Sequence, residues 1–566
     1  MRRGVTISTG AIALGGRLVA THTGGSDGDG VRRAIAVVLC MVLAFGAIGG
    51  QLVRLALKGG EHGQSNMTTP IASGVARPDV VDRKGRLLAS DVEALSLYAD
   101  PMIVIDRDEV SEKLARIFPD LDTARLRQAL SDRSRRFVWV RRGLSPDTAQ
   151  RVHNLGLPGL AFRPELRRAY PSGRLAGHVL GGVNIDNRSV AGIERYLDEK
   201  ELVDSVVVAA PSERRPVALS LDVGVQHALE DELAKAMTTY DAPAAAGLVL
   251  DVTTGEIVAS ASLPGVDPAI PDAAPAPETV DRVSAGRYEL GSIFKLLTLA
   301  EAIDAGRVGP QTIIDVTQPL NIGRYEIKDL HPSGRPLTVG EVFLKSSNVG
   351  AGILALGAGA ERQRDFLSRL GLLEQMRAET GALAAPLVPE RWQEIETVTI
   401  SYGHGLAVPP LQFAAAAAAM VNGGNFIQPT FLKRRPGEEI ERRRVISAET
   451  SARLNELMRR NVAEAGGTGR RADAAGYRVG GKTGTAEIAH KGRYEGNSVI
   501  SSFLAAFPME APQYLSLVIL FEPSRTAASG GEITAGQTAA PVTARLVERI
   551  APQLGVLPIL AASGER

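Results

Sequence analysis

The longest uninterrupted apolar segment lies near the start of the chain. Residues 34–50 carry no charge, and apolar positions continue just beyond them. At about 1.5 Å per residue, a helix of roughly twenty residues crosses the ~30 Å hydrocarbon core of a bilayer. The pattern therefore predicts a single transmembrane anchor over residues 34–54. The alternatives are a buried core helix and a cleaved signal peptide, but the polar leader before the segment is longer than a signal peptide usually has. More cations precede the segment than follow it, which predicts a cytoplasmic N-terminus and an exported body.

Hydrophobic patterning in the second half of the chain predicts one domain of mixed structure. Two apolar runs flank a Thr-Thr-Gly turn at 253–255, which predicts a β-hairpin. A continuously apolar helix is predicted from residue 291 to Gly306, where glycine ends it. Two strands and a closing helix are predicted within residues 498–550. Strands at both ends of a helix-rich middle predict an α+β domain whose sheet joins its two ends.

These boundaries divide the chain into five predicted segments. They are a disordered leader (1–33), the transmembrane anchor (34–54), a mixed α/β domain (60–220), the larger α+β domain (240–552) and a short C-terminal tail (553–566). The leader is assigned as disordered because it is rich in Gly, Ser and Thr. Any chemistry is therefore expected in the two folded domains.

Composition excludes several classes of function. Hydrophobic residues make up 44% of the chain and charged residues 22%, which is typical of a folded protein. Lys and Arg (64) balance Asp and Glu (63), so the charge gives no reason to expect a nucleic-acid partner. The only cysteine is Cys40, and the eight histidines form no ligand pattern. Neither a disulfide nor a metal site nor another cofactor is therefore predicted.

Ser292 and Lys295 are the first candidate catalytic residues. They lie three residues apart at the start of the predicted buried helix, a spacing that puts both side chains on one face. A serine hydroxyl becomes a nucleophile when a neighbouring base removes its proton, and a lysine can be that base if burial lowers its pKa. Of the eleven lysines, only Lys295 has a serine three residues before it. The alternative is a helix-capping serine beside a surface lysine.

Two further clusters occur once each in the chain. Residues 346–348 form the only Ser-x-Asn, and residues 482–485 contain the only Lys-Thr-Gly. The second cluster also completes a P-loop pattern that begins at Gly476. A P-loop must follow a strand and open a helix, and Gly484 disfavours a helix at that point. Nucleotide binding is therefore not predicted, and the three unique clusters together indicate one catalytic site.

With Ser-x-x-Lys, Ser-x-Asn and Lys-Thr-Gly in this order, the chain resembles the penicillin-binding protein and serine β-lactamase superfamily. Residues 77–89, 170–184 and 191–202 are similar to the segment after the anchor and to the pedestal (dimerisation-type) region of class B penicillin-binding proteins. The single anchor, the length and the lack of an appended module are most like the division-specific (septal) subgroup, the FtsI type. One departure is Leu290, where this class often has proline.

The resemblance implies a fold and an activity. The fold is an elongated mixed α/β pedestal followed by a transpeptidase domain with an antiparallel sheet flanked by helices. The activity is D,D-transpeptidation of peptidoglycan stem peptides that end in D-Ala-D-Ala, with β-lactams as inhibitors. Ser292 would attack the carbonyl between the two terminal D-alanines, Lys295 would take its proton, and Ser346 would relay a proton to the leaving amine. The other implied site residues are Asn348 for the acyl chain's amide, Lys482 for positive potential, Thr483, Gly484 and Thr485 for the substrate carboxylate, and the backbone N–H groups of Ser292 and Thr485 for the oxyanion.

The resemblance also implies partners and a location. A polytopic septal glycosyltransferase, other division proteins and the lipid bilayer are the expected partners, without nucleic acid. The expected location is the bacterial inner membrane at the division septum, with a single pass and a periplasmic catalytic domain. The alternatives are an elongation-type class B transpeptidase, a membrane-anchored serine β-lactamase, or a scaffold with an inert pocket. No Glu-x-x-Leu-Asn stretch of the class A β-lactamase type lies between the second and third clusters.

Overall fold

The computed structural model of the chain describes residues 35–51, 76–203, 215–270, 276–490 and 493–559, with the side chains of 489–497 excepted. The predicted leader and the last residues of the predicted tail lie outside these ranges. The chain divides into two units, Met1–Pro70 and Ile71–Arg566.

In the first unit, residues 35–51 form helix α1. Its apolar side chains are exposed, as Phe45 (72%) and Leu43 (65%) illustrate. Among the residues that the structure describes, no helix combines the length and the apolar character needed to cross a membrane. The predicted anchor extends past α1 to residues 34 and 52–54, which lie outside the described ranges.

The second unit begins with a smaller domain built on a five-stranded sheet. Its strands are β1 (Val80–Val81), β2 (Leu87–Ala99), β3 (Val138–Leu144), β4 (Leu160–Ala169) and β7 (Val217–Ala218), and a separate hairpin is formed by β5 (Gly182–Val183) and β6 (Ser189–Ala191). Strand β2 pairs antiparallel with β1, β3 and β4, and β1 pairs parallel with β7. The helices are α2 (Arg107–Ile117), α3 (Thr123–Ser131), α4 (Pro146–His153), α5 (Gly177–Leu180) and α6 (Gly192–Glu199). Leu97 and Ala99 of β2 pack on Leu114 of α2 in a separate small core.

Buried ion pairs fix helix α6 to the segment that precedes β1. The Arg77 side chain donates to Glu194 at 2.9 Å and to Asp198 at 2.5 Å. Arg168 of β4 donates to the same Glu194 carboxylate at 2.7 Å. Loss of one partner leaves an uncompensated buried charge, which typically costs about 3–5 kcal/mol. These pairs therefore hold together elements that are far apart in the sequence.

The larger domain is built on a second five-stranded sheet. Its strands are β8 (Ala244–Asp251), β9 (Ile257–Leu263), β18 (Gly480–His490), β19 (Arg493–Phe507) and β20 (Tyr514–Phe521). The order is β18-β19-β20-β8-β9, and every pairing is antiparallel. The central pairing sets Phe521 opposite Ala244, so the predicted hairpin and the predicted C-terminal strands are neighbours. The prediction of an α+β fold is confirmed.

Helices cover both faces of this sheet because its strands are apolar on both sides. On one face, α7 (Val223–Thr239) and α15 (Ala539–Ile550) pack on a core that includes Val249 and Val518. On the other face, Leu248 and Leu517 belong to a core that continues into the smaller domain at Val80. The helices of that second layer are α8 (Lys295–Asp304), α9 (Val339–Leu344), α10 (Asn348–Ala358), α11 (Ala360–Arg369), α12 (Glu394–Ser401), α13 (Pro410–Val421) and α14 (Ala448–Ala463).

Short two-stranded ribbons connect the helices of the second layer. They are β10 (Ile313–Ile314) with β13 (Leu337–Thr338), β11 (Leu320–Ile322) with β12 (Tyr325–Ile327), β14 (Arg377–Ala378) with β15 (Gly381–Ala382), and β16 (Asn425–Phe426) with β17 (Arg443–Arg444). Helix α8 lies at the centre of the layer and contacts α9, α10, α12, α13 and α14. Its residues from Lys295 to Ile303 are all buried. A side chain at its start is therefore held in a fixed position.

Candidate active site

Ser292 lies on a 3-10 turn, Gly291–Phe294, that leads directly into α8. The sequence predicted Ser292 at the start of the α-helix itself. The structure has a tighter 3-10 turn there, because the turn packs against a neighbouring strand. Gly291 has a φ of 61°, and a Cβ at this position would lie 2.8 Å from the carbonyl oxygen of Thr485. Only glycine permits this approach. The turn therefore sets Ser292 directly against the edge strand β18.

Lys295 lies one turn beyond Ser292 and is fully buried. Its Nζ lies 2.9 Å from Ser292 Oγ, 2.6 Å from the carbonyl oxygen of Ser346 and 2.7 Å from Asn348 Oδ1. The first and second predicted clusters, more than fifty residues apart in the sequence, thus meet on one nitrogen atom. The predicted neighbours Ser292, Lys295, Ser346 and Asn348 are brought together.

Burial favours the neutral form of Lys295. Desolvation lowers its pKa well below 10.5, the nearby Lys482 lowers it further, and Asp329 partly opposes both. A neutral amine has two N–H groups and one lone pair. The carbonyl oxygen of Ser346 and Oδ1 of Asn348 can only accept, so they take the two N–H groups. The lone pair then remains for the proton of Ser292.

Ser346 connects the two buried lysines. Its backbone lies in the left-handed region, with a φ of 57°, which costs a non-glycine residue about 1–2 kcal/mol. This conformation directs both its carbonyl oxygen and its hydroxyl at Lys295. The Nζ of Lys482 donates to the same hydroxyl at 2.9 Å. Lys482 is fully buried, and desolvation lowers its pKa to about 7.

Asp329 is a site residue that the sequence did not predict. One of its carboxylate oxygens accepts from the backbone N–H groups of Asn348 at 2.5 Å and of Val349 at 3.0 Å. The other accepts from the hydroxyl of Ser347 at 2.6 Å. Asp329 therefore caps helix α10 from a different loop and fixes the second cluster in place. No local motif signals this role, because the bonds join residues 18 to 20 positions apart.

The third cluster lies on β18, the edge strand of the sheet, and not on a loop before a helix. This geometry agrees with the rejection of a P-loop. A Cβ at Gly484 would lie 2.4 Å from Ser502 Oγ and 2.6 Å from the carbonyl oxygen of Leu290, so glycine is required there. Gly484 thus lets the strand approach the turn that carries Ser292. Thr485 lies beside it and accepts from the backbone N–H of Ala535 at 3.2 Å.

A cavity of about 520 Å³ opens in front of these groups. Five of the predicted site residues line it: Ser292, Ser346, Asn348, Thr483 and Thr485. Lys295, Lys482 and Gly484 do not line the cavity. The two lysines lie fully buried behind its wall. Gly484 instead allows the backbone of β18 to lie close to the carbonyl oxygen of Leu290. The arrangement offers an activated hydroxyl in an open cavity with two buried amines beneath it, which suits acyl transfer.

Known proteins share both domains of the chain. The model of the penicillin binding protein transpeptidase domain matches residues 245–548, and that of the penicillin-binding protein dimerisation domain matches residues 72–204. A probable peptidoglycan D,D-transpeptidase FtsI of Caulobacter vibrioides is 41% identical over 86% of this chain and 83% of its own length. The peptidoglycan D,D-transpeptidase FtsI of Escherichia coli K12 is 29% identical over 87% of this chain and 86% of its own. The solved transpeptidase domain of Burkholderia pseudomallei penicillin-binding protein 3 is 30% identical and superposes with a TM-score of 0.55 over 61% of this chain and 98% of that one.

Proposed function

The chain belongs to the class B penicillin-binding proteins and is a peptidoglycan D,D-transpeptidase, and we propose that Ser292 carries the acyl group and that the cross-links lie in the septal wall. The observation that carries the assignment of Ser292 is its contact with Lys295 at 2.9 Å, in a cavity lined by all three clusters. The similarity to FtsI proteins of two organisms supports the septal role.

In the proposed first step, Ser292 Oγ attacks the carbonyl carbon between the two terminal D-alanines of a stem peptide. Its proton passes to the lone pair of Lys295 Nζ as the new C–O bond forms. The tetrahedral intermediate then collapses, the C–N bond breaks, and D-alanine leaves. Positioned general acid–base catalysis of this kind typically contributes about 10²–10⁴ to the rate.

The leaving amine needs a proton, and the hydroxyl of Ser346 is placed to deliver it. That hydroxyl lies 3.1 Å from Lys295 Nζ, which holds the proton taken from Ser292, and 2.9 Å from Lys482 Nζ. In the second step, an amine of a neighbouring stem peptide attacks the acyl-enzyme, and the same groups act in reverse. The product is a cross-link, and Ser292 is regenerated.

Substrate binding is assigned to the edge strand and to the second cluster. Thr483 and Thr485 line the cavity beside Ser292 and would bind the terminal carboxylate, with Lys482 behind them supplying positive potential. Asn348 would hold the amide of the acyl chain. The backbone N–H groups of Ser292 and Thr485 would stabilise the oxyanion, a contribution of about 3–4 kcal/mol per donor in other enzymes.

We further propose that residues 34–54 anchor the protein in the inner membrane and, together with the pedestal, bind a polytopic septal glycosyltransferase. The support is the uncharged segment at 34–50 and the need of a cross-linking enzyme for newly made glycan strands. Replacing residues 34–53 with an unrelated membrane helix should preserve penicillin labelling but abolish co-purification with the glycosyltransferase and localisation to the septum. If the exchanged protein still localises and supports division, the anchor is only a tether.

A complementation experiment tests whether the reaction or only the protein's presence is needed. A strain depleted of the native protein would carry either Ser292→Ala or a control, Ser134→Ala, on the exposed surface of the smaller domain. We expect normal septa with the control and filaments with Ser292→Ala at equal protein levels. Septation with Ser292→Ala would instead support the alternative that the protein is a scaffold with an inert pocket. Slow release of bound penicillin by the wild type would separate a transpeptidase from a β-lactamase, which turns the drug over.

A further inference from the structure

The active-site cavity extends past the catalytic groups to a cationic rim formed by Lys345, Arg470 and Arg471. All three side chains are exposed. Among the residues that the structure describes, none of the three makes a side-chain hydrogen bond or an ion pair. Neighbouring arginines differ, since Arg459 pairs with Asp473 and Arg460 pairs with Glu464. The rim therefore holds positive charge that the protein itself does not neutralise.

The backbone that carries the two rim arginines is tied to the strand of the third cluster. They open the 3-10 turn Arg470–Ala472, and the residue before it, Gly469, donates its backbone N–H to the carbonyl oxygen of Asn461 at 3.2 Å. The side chain of Asn461, which is fully buried, donates to the carbonyl oxygen of Gly481 on β18 at 2.9 Å. One buried residue thus joins the arginine turn, through its backbone carbonyl, to the strand that carries the third cluster, through its side chain.

A second connection runs through Thr468. Its backbone N–H and its hydroxyl donate to Asn461 Oδ1 at 3.1 and 3.2 Å, and its hydroxyl accepts from Thr483 at 2.8 Å. A substrate whose carboxylate rests on Thr483 therefore lies in a cavity that the arginines also line. The backbone that carries the arginines is tied to the catalytic strand through Thr468 and Asn461.

Two acids also line the cavity, and both are engaged within the protein. Asp329 accepts three hydrogen bonds from the start of α10. Glu532 accepts from the hydroxyl of Thr534 at 3.0 Å. Three cations against two carboxylates leave a net positive charge at the mouth, and the ligand chemistry that matches it is a carboxylate. Guanidinium groups bind carboxylates through paired, charge-assisted hydrogen bonds.

We infer that Lys345, Arg470 and Arg471 form a subsite for a side-chain carboxylate of the stem peptide, upstream of the two terminal D-alanines. This inference rests on the proposed function, since the terminal carboxylate is already assigned to Thr483 and Thr485. A second carboxylate on the same peptide is then the group that reaches the rim. The subsite makes the enzyme selective for donor peptides with a free acid over peptides in which that acid is amidated. Only the acid is negatively charged and offers two acceptor oxygens to a guanidinium group.

Two synthetic peptides test the subsite on the full-length protein. Both end in D-Ala-D-Ala, and they differ only in whether one upstream side chain carries a carboxylate or its carboxamide. Each peptide is titrated against labelled penicillin, and the concentration that halves the rate of labelling is measured. We expect the acid to protect at a concentration about tenfold lower than the amide, because hydrogen bonds to charged groups are the stronger ones. The preference should shrink at high salt, since the rim is exposed.

The double variant Arg470→Gln/Arg471→Gln should bring the ratio of the two concentrations close to one. Because both peptides compete with one label, any uniform effect on the pocket cancels from the ratio. Arg471→Lys, which keeps the charge, guards against a folding defect and should retain a reduced preference. Arg478→Gln removes an exposed arginine that pairs with Glu510 outside the cavity and should keep the full preference. An unchanged ratio in the double variant, or no preference in the wild type, overturns the subsite. Loss of wild-type labelling would instead overturn the proposed function.

Discussion

Lys295 and Lys482 both place a buried amine within hydrogen-bonding distance of one atom, the hydroxyl oxygen of Ser346, at 3.1 and 2.9 Å. Two protonated amines this close repel each other, and both side chains are fully buried. The pair therefore favours a state in which one amine is neutral. Lys295 is the one with two fixed acceptors for its N–H groups and with Ser292 at its remaining position.

The rate of penicillin acylation should rise with pH through the lowered pKa of Lys295. The sign follows from the role of the residue, because only the deprotonated amine can accept the proton of Ser292. Burial lowers that pKa well below 10.5, so the rise should be complete far below the pH at which an exposed lysine titrates. The measurement is the acylation rate constant at intervals from about pH 5 to 9. A rate that does not vary with pH over that range contradicts a lysine base.

Lys295→Arg should be nearly inactive although it keeps the positive charge. Arginine stays protonated at every accessible pH and so cannot take the proton of Ser292. We expect the acylation rate to fall by about 10³-fold, within the usual range for loss of a general base. The matched control is Lys113→Arg, at a partly exposed lysine that pairs with Glu109 in the smaller domain. Acylation by Lys295→Arg at more than a tenth of the wild-type rate would remove Lys295 from the mechanism.

Asp329→Asn should slow acylation and shift its pH profile. Asparagine keeps one oxygen for the N–H groups of α10 but loses the charge, so Ser346 and Asn348 are held less firmly. The charge of Asp329 raises the pKa of Lys295, so its loss should move the rise in rate to lower pH. We expect a loss of about tenfold in rate. The comparison is with Asp315→Asn, an exposed acid that accepts hydrogen bonds from Thr317 in a nearby loop.

If Asp329 only supported the fold, Asp329→Asn would have a different effect. The melting temperature would fall, and the remaining acylation would follow the wild-type pH profile. The combined change in rate and in profile therefore distinguishes positioning of the catalytic groups from support of the fold.

Glu301→Gln should stabilise the protein above neutral pH. Glu301 is buried in α8, its Oε1 has no hydrogen-bond partner among the described residues, and desolvation raises its pKa from 4.5 to about 7. A carboxyl whose pKa is raised on folding stabilises the native state at low pH, and that contribution is lost as the pH rises through about 7. The difference between the two pKa values corresponds to about 3 kcal/mol in the free energy of unfolding.

The check is the melting temperature of both proteins at acid and at alkaline pH. The gain from Glu301→Gln should appear at alkaline pH and vanish at acid pH, whereas Glu439→Gln on the exposed surface should change neither. Equal melting curves for the wild type and Glu301→Gln at alkaline pH would show that the buried carboxylate finds a partner.

Features that depend on local sequence could be predicted. The hairpin around residues 253–255, the strands ending at Phe521 and the buried helix α8 follow from runs of apolar residues, and the structure has all of them. The three candidate clusters could be found because each is unique in the chain. Their order then indicated one site, and the distances around Lys295 Nζ are consistent with it.

Features that depend on tertiary contact could not be predicted. Strand β18 is rich in glycine, which disfavours a strand, yet Gly481 and Gly484 are required because a Cβ at either would lie within about 2.5 Å of neighbouring atoms. Ser292 lies on a 3-10 turn because Gly291 packs on the backbone of Thr485. Asp329 and Asn461 act through bonds to distant residues, and nothing in the adjacent sequence marks them.

Mapping the site of covalent labelling by penicillin tests the central claim most directly. The full-length wild type and Ser292→Ala are incubated with labelled penicillin, digested, and analysed by mass spectrometry for the labelled peptide. We expect a single labelled peptide that contains Ser292 in the wild type, and no labelled peptide in a Ser292→Ala protein with an unchanged melting temperature. Label on another residue of the wild type, or stoichiometric labelling of Ser292→Ala, would contradict it.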